Sequence, residues 1–187
     1  MKYFSSDWHL SENKLGKDGK NNPYNRPFKN VVEENNTIKN NFLKTFKEGD
    51  TFYMMGDLFS KKDSSSIKVM NDVRNKFKKS KFILLKGDED KYGSDVYYEW
   101  FDEIHNELYV ELPIVGKVCL NHFPQNIIKQ NYFGITGHVH DLWKIQKRMV
   151  NVGVDCWHYF PVSENQIASI YTELNKRADD RNLFPYM

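Results

Sequence analysis

Three histidines fall in two short segments, Asn121-His122-Phe123-Pro124 and Gly137-His138-Val139-His140, and a fourth lies upstream in Asp7-Trp8-His9. Carboxylates stand nearby in kind, at Gly56-Asp57 and at Gly87-Asp88-Glu89-Asp90. Imidazoles mixed with carboxylates are ligands for Mn²⁺, Fe²⁺/³⁺, Zn²⁺ or Ni²⁺, whereas an all-oxygen set would suit Mg²⁺ or Ca²⁺. Asp7 and His9 share a face of an extended segment and can offer one ion an oxygen and a nitrogen. A buried structural His is the ordinary explanation of any single one. The set as a whole reads as a metal site assembled from distant parts of the chain.

Ligands so far apart need a frame that brings them to one edge. Residues 2–6 form a short strand-like run that stops at Asp7, residues 51–55 one that arrives at Gly56-Asp57, and residues 82–85 one that runs into Gly87-Asp88. Between them, residues 30–46 carry Val31, Ile38, Phe42, Leu43 and Phe46 at roughly helical spacing, and residues 64–79 carry Ile67, Met70, Val73 and Phe77 likewise. Three strand, loop, helix units each ending a strand at an Asp predict α/β architecture with a site along the carboxyl edge. A further helix is expected over 96–105 with Tyr97, Trp100, Phe101 and Ile104 in the core. Pro113-Ile114-Val115-Gly116 between 108–112 and 117–120 predicts a hairpin, and 133–136 and 148–154 add strands, so the second half reads as richer in antiparallel pairing. Ser163 can cap a last helix to about residue 176, with 177–187 as a frayed or packed tail.

A chain of 187 residues with 28% charged residues and net charge +2 fits one domain, and nothing in it resembles a strongly basic arm or an acidic tail. Residues 1–5 enter a strand without a long apolar run, so neither signal peptide nor membrane span is expected. Cys119 and Cys156 are too few for a disulfide framework and predict reduced thiols. The abundance of Asn and Lys hints at an AT-rich genome.

In order along the chain, Asp7-Trp8-His9, Gly56-Asp57-Leu58, Gly87-Asp88-Glu89-Asp90, Asn121-His122-Phe123-Pro124 and Gly137-His138-Val139-His140 resemble the five motifs of calcineurin-like metallophosphoesterases. Asn25-Arg26-Pro27-Phe28 and Asn151-Val152-Gly153-Val154-Asp155 are similar to segments of short bacterial and phage members. The resemblance implies a four-layer αββα sandwich of two mixed sheets flanked by helices, in a single domain over 1–187, and a cytoplasmic location in a bacterium or in the host cell of a phage. It implies a dinuclear centre with Asp7, His9 and His140 on one ion, His122, His138 and Asp88 on the other, and Asp57 bridging. The activity implied is phosphoester hydrolysis by a hydroxide shared between two ions about 3.5–4 Å apart. The substrate expected is a phosphodiester, a nucleotide-type small molecule or a nucleic-acid end.

The third motif departs from the family's usual Gly-Asn-His-Asp/Glu. Asp88 replaces a neutral ligand by a charged one, and Glu89 stands where a His would face the scissile phosphate. Asp57, Glu89 and His122 are thus the catalytic candidates, Glu89 only as a protonated acid. A scaffold subunit of this fold with a similar third motif keeps open a second reading, a binding protein with a protein partner. Arg26 is a candidate phosphate clamp or else an ion pair holding the loop at 16–27. Trp8, Phe123, Trp143 and Trp157 either line a cleft or pack; His158 with Asp155 either sits at the site rim or is structural; His105 is a surface or helix-end residue; and Lys78-Lys79-Ser80-Lys81 reads as a solvated helix end.

Overall fold

The computed structural model describes residues 1–12, 24–91, 93–129 and 131–183. The first half runs β1 (Lys2–Ser5), α1 (Val31–Thr45), β2 (Thr51–Met54), α2 (Ser64–Lys76), β3 (Lys81–Leu85), α3 (Ser94–Tyr97) and β4 (Glu103–His105). The second continues β5 (Glu107–Leu112), β6 (Gly116–Asn121), α4 (Pro124–Ile128), β7 (Phe133–Thr136), β8 (Ile145–Gln146), β9 (Met149–Asn151), β10 (Val162–Ser163) and α5 (Glu164–Leu183). No helix among the described residues is long and apolar enough to cross a membrane.

The strands form two mixed five-stranded sheets, ordered β10-β1-β2-β3-β4 and β5-β6-β7-β9-β8. In the first, β1 to β4 are parallel and β10 is antiparallel to β1. Alternation sorts the side chains between the two faces. Tyr3, Phe52, Met54, Phe82 and Leu84 pack under α1 and α2 with Ile38, Phe42 and Val73. Phe4, Tyr53, Ile83 and Leu85 turn inward against Val118, Leu120, Ile135 and Val150 of the second sheet. The helices start where side chains accept their free N–H groups: Asn30 caps α1 through Glu33 N–H, and Asp63 and Ser66 form a reciprocal box at α2. α4 lies on the far face of the second sheet, its Ile127 against Cys119 and Met149. The layers are therefore α, β, β, α, as the sequence resemblance implies, the fourth layer being one short helix.

The two sheets are joined at the carboxyl end of β1. Ser6 N–H donates to Val152 O and Val154 N–H donates to Ser6 O, at 3.1 Å each, while Ser6 Oγ donates to Met55 O at 2.9 Å. This seam brings the ends of β1, β2 and β3 opposite those of β6 and β7.

Two expectations are corrected. The helix over 96–105 is only Ser94–Tyr97, after which Trp100 and Phe101 N–H both fold back onto Tyr97 O and Glu103–His105 is a strand parallel to β3. Tyr97, Trp100 and Phe101 are buried as expected, but by a tight turn, and apolar content without a clean period cannot tell a turn from a helix. The second half is richer in antiparallel pairing, as expected: β5 with β6, β8 with β9 and β10 with β1 are antiparallel, while the centre of the second sheet, β6-β7-β9, is parallel. The last helix continues past 176 to Leu183, and 184–187 lie outside the described residues. Ser163 does cap that helix, accepting from Gln166 N–H while Gln166 Oε1 accepts from Ser163 N–H.

Gly56 follows β2 with φ +99°, and a Cβ there would run into the His122 ring and Gly87 N. Gly49 has a similar φ of +89° but open space around it. Gly49→Ala should therefore cost about 1 kcal/mol, the backbone penalty alone, and Gly56→Ala at least ~2 kcal/mol more because His122 must move. Denaturant unfolding of both variants reads the difference; equal losses would mean that the close approach at Gly56 is harmless.

Candidate metal centre

All seven candidate ligands stand just beyond strand ends or in the loop after β7. Asp7, His9, Asp57, His138 and His140 have φ of 57°, 46°, 56°, 71° and 47°, in the left-handed region that side chains rarely occupy. Each such residue costs on the order of 1 kcal/mol or more, so the surrounding bonds must over-determine it. They do: Asp7 N–H donates to Gly56 O and His9 N–H to Asp57 O, both at 3.0 Å, and Gly137 N–H donates to His122 O at 3.1 Å.

The side chains gather in two groups, Asp7, His9 and His140, and Asp57, Asp88, His122 and His138, each with ligand atoms all within 4.8 Å of one another. Asp57 lies between them. Its Oδ2 is 3.6 Å from His9 Nε2 and 3.4 Å from His122 Nε2, while its Oδ1 accepts Glu89 N–H at 2.9 Å. Asp88 Oδ1 is 3.2 Å from His122 Nε2 and 3.1 Å from His138 Nδ1. Asp7 receives His138 N–H on both oxygens at 3.1 Å, and its Oδ1 is 4.0 Å from His140 Nε2.

The outer nitrogens fix the tautomers. Ser60 Oγ donates to Glu12 Oε2 at 2.7 Å, so it can only accept from His9 Nδ1, 3.1 Å away. His9 Nε2 is then a bare lone pair, buried and without a hydrogen-bond partner, aimed at the Asp57 carboxylate. His122 repeats the pattern: Nδ1 donates to Met55 O at 2.7 Å, which leaves Nε2 toward Asp57 and Asp88. His140 Nδ1 donates to Asp155 Oδ2 at 2.9 Å and turns Nε2 to Asp7. Lone pairs facing carboxylate oxygens across a buried gap repel unless a cation lies between them. The residues present fit metal ions.

Their proton affinities respond to the same geometry. Burial drives the His9 pKa down to about 3, against the attraction of Asp57, so His9 is a neutral donor. Burial opposes charge on His122 too, but Asp57 and Asp7 outweigh it and hold its pKa at about 9; a proton takes the place that a cation would. The Asp57 carboxyl, disfavoured by burial, is brought below its usual range by His122, and Asp7 is pushed up by burial.

Several supporting residues escaped the sequence reading. Asp90, buried, accepts the N–H groups of Asp57, Leu58 and Gly87 and the hydroxyl of Tyr97, fixing the backbone that carries Asp57. Asn151 donates to His140 O at 2.6 Å and Trp143 O at 2.8 Å and so shapes the last ligand loop. Tyr24 stacks on His140 at 3.9 Å between ring centres, 11° apart, and lies 4.7 Å from His9. Asp90 and Asn151 were visible as neighbours of Gly87 and Gly153, yet nothing in a lone sequence says that a carboxylate will face backbone N–H groups rather than an ion.

Arg26 is not a phosphate clamp. It is buried, and it donates to Asp155 through Nε at 2.8 Å and Nη2 at 3.0 Å, to Glu34 through Nη1 at 2.6 Å, and to the carbonyls of Trp8 and Asp7 at 3.0 and 2.5 Å. The ion-pair alternative is the observed one, with its partners on α1 and after β9. Asp155 is a positioning residue: burial disfavours its charge, but His140 and Arg26 lower its pKa to about 2. His158 is exposed with its own φ at 52° and outside both groups, and His105 sits on β4 beside Glu103 at 3.0 Å, not at a helix end. Residues 78 and 79 are exposed after α2, and Lys81 pairs with Glu103. Trp8 is core, its N–H on Ser5 Oγ, and Trp143 and Trp157 pack as well. Phe123 alone of the four aromatics borders the site, edge-on to His122 and His138. Glu89 is half-exposed and pairs with Lys91 at 3.1 Å. Residues 16–23 of the loop at 16–27 lie outside the described residues.

No protein-family model matches the chain. It is 28% identical over 178 residues to MJ1445, an uncharacterized protein of Methanocaldococcus jannaschii, with 90% of this chain and 89% of that one covered. The crystal structure of AQ665, a protein of unknown function from Aquifex aeolicus, superposes with a TM-score of 0.66 at 23% identity, over 91% of this chain and 98% of that chain. The α/β fold is thus shared with a solved structure.

Two substitutions separate positioning from folding. Asp155→Asn should leave the fold intact and weaken metal binding about 10–100-fold, because His140 loses the charge that orients it. Arg26→Met should cost about 3–5 kcal/mol of stability by stranding Glu34 and Asp155. Titration calorimetry with Mn²⁺ and urea unfolding test them; an Arg26→Met loss below ~1 kcal/mol would contradict the linking role.

Proposed function

We propose that the chain is a metal-dependent phosphoesterase of the calcineurin-like metallophosphoesterase superfamily, acting on phosphodiesters in preference to monoesters. The observation that carries this reading is the Asp57 carboxylate, one oxygen of which faces the lone pairs of both His9 and His122. In it, Asp7, His9 and His140 hold one cation, Asp88, His122 and His138 a second, and Asp57 both; Mn, Fe, Ni and Zn suit these donors. A bound pair would supply Lewis acidity at the phosphoryl group and an activated water.

The chain's own residues do the rest. Met55 O and Asp155 lock the rings of His122 and His140, and Glu89 N–H orients Asp57 through the oxygen that the histidines do not share. Asp88, half-exposed, and Glu89 stand at the open side, where negative charge repels a dianionic monoester more than a monoanionic diester. Lys91 offsets part of that charge, so Glu89 need not be neutral for an anion to approach. The substrate class is a nucleotide-type small molecule or a nucleic-acid end.

A second reading, a metal-holding binding or scaffold protein without turnover, is favoured by one observation. The side chain in the place of the family's third-motif His is a carboxylate engaged by Lys91.

Turnover of an aryl phosphodiester with added Mn²⁺ distinguishes them. Wild type should be active and Asp57→Ala and His122→Ala should lose roughly 100-fold or more; activity that survives both would sink the mechanism. If hydrolysis appears only in the Asp88→Asn, Glu89→His double variant, the scaffold reading holds instead.

A further inference from the structure

On the outer face of the second sheet, beside α4, a groove is lined by Ile127, Ile128, Tyr132, Lys147, Arg148 and Met149. Lys117 borders it, its Nζ 5.0 Å from the ring centre of Tyr109 and 5.1 Å from that of Tyr132, and the two tyrosines meet edge to face at 5.4 Å. Lys117, Lys129, Lys147, Arg148 and Tyr132 are exposed. None of these four cations is in an ion pair among the described residues; Arg148 donates to Asn131 Oδ1 at 2.8 Å. Of the carboxylates on β5, Glu111 stands opposite Lys117 in the strand register without an ion pair to it among the described residues, and Glu107 accepts from Tyr109 and Asn121.

We propose that this groove binds a single strand of nucleic acid. Cations on both sides of an exposed aromatic ring match a chain that alternates phosphates with flat bases. A duplex hides its base faces from Tyr132, and an acidic peptide satisfies the lysines but makes no use of the exposed Tyr132 ring. β6 connects the groove to the metal centre: Lys117 lies five residues before His122, roughly 16 Å at the rise of a strand. Binding stands on the groove alone; the role of the strand as substrate rests on the phosphodiesterase reading.

The test uses the full chain treated with chelator, so that nothing is cleaved, and fluorescence anisotropy with labelled oligothymidylate and oligouridylate. Both or either should bind, with an affinity that falls with salt by a log–log slope of about −0.7 for each phosphate contacted. The Lys147→Glu, Arg148→Glu double variant should bind at least ~10-fold more weakly with a shallower slope, and Tyr132→Ala roughly tenfold more weakly with the slope unchanged. Whichever oligonucleotide binds more tightly identifies the natural strand as DNA or RNA. Absence of binding at low salt, indifference to both variants, or equal capture of a glutamate-rich peptide overturns the proposal. Aryl diester turnover with Mn²⁺ should be unchanged in these variants. If wild type binds the strand yet turns over no ester, the enzyme reading fails and the groove stands.

Discussion

Asp57 is the constraint on which the structure depends. Its Oδ2 stands within 3.6 Å of two imidazole nitrogens whose protons are committed elsewhere, His9 by Ser60 and Glu12 and His122 by the Met55 carbonyl. Three electron-rich atoms held together away from water are unfavourable unless a positive charge joins them. The imbalance extends outward. Among the described residues the buried carboxylates are Asp7, Glu12, Glu34, Asp57 and Asp90, and the buried side chain that carries a permanent positive charge is Arg26. Arg26 is itself consumed by Glu34 and Asp155. The interior at the carboxyl edge is therefore short of positive charge, and the high proton affinity of His122 is the local symptom.

Holding that arrangement costs backbone strain. Five of the candidate ligand residues are left-handed, and the sheets tolerate this because the seam at Ser6 ties β1 to the second sheet directly beside Asp7. Asp90 does for β2 what Ser6 does for β1, its carboxylate collecting two N–H groups from the turn after Met55, those of Asp57 and Leu58, and that of Gly87 after β3. Glycine is needed at 56 for a related reason, since His122 packs against the backbone where a side chain would stand. The strain is thus matched by specific bonds, each from a residue one step removed from the ligands.

Much of this was legible in the sequence, for physical reasons that differ by element. β1, β2, β3 and β7 were readable because a short apolar run stopped by an Asp or Gly is a signal contained within a few residues. The two groups of candidate ligands were readable because His and Asp recur directly after such runs. What was not legible depends on direction or on distant partners. Glu103–His105 joins β3 through hydrogen bonds that no local pattern encodes, and the parallel pairing of β6, β7 and β9 is set by crossovers through α4 and the last ligand loop. Arg26 illustrates the limit most clearly. A guanidinium in a polar loop near a site satisfies the sequence criteria for a phosphate clamp and for a buried tie equally well, and only the positions of Glu34, eight residues on, and Asp155, far along the chain, decide between them.

The fourth layer completes the physical account. α1 and α2 bury one face of the first sheet under two long helices, but α4 spans only Pro124–Ile128 on the opposite side of the molecule. Its brevity follows from position, because it begins directly after His122-Phe123 and must leave His122 undisturbed on the inner side while the chain returns to start β7. One turn and a half of helix covers Cys119 and Met149 and no more, so Tyr109, Lys117 and Tyr132 remain uncovered at the other end of β6. The same strand thus carries a buried, electron-rich end at Asn121-His122 and an exposed, cationic one at Lys117. A polyanion is attracted by the second and repelled by the first unless cations neutralise it.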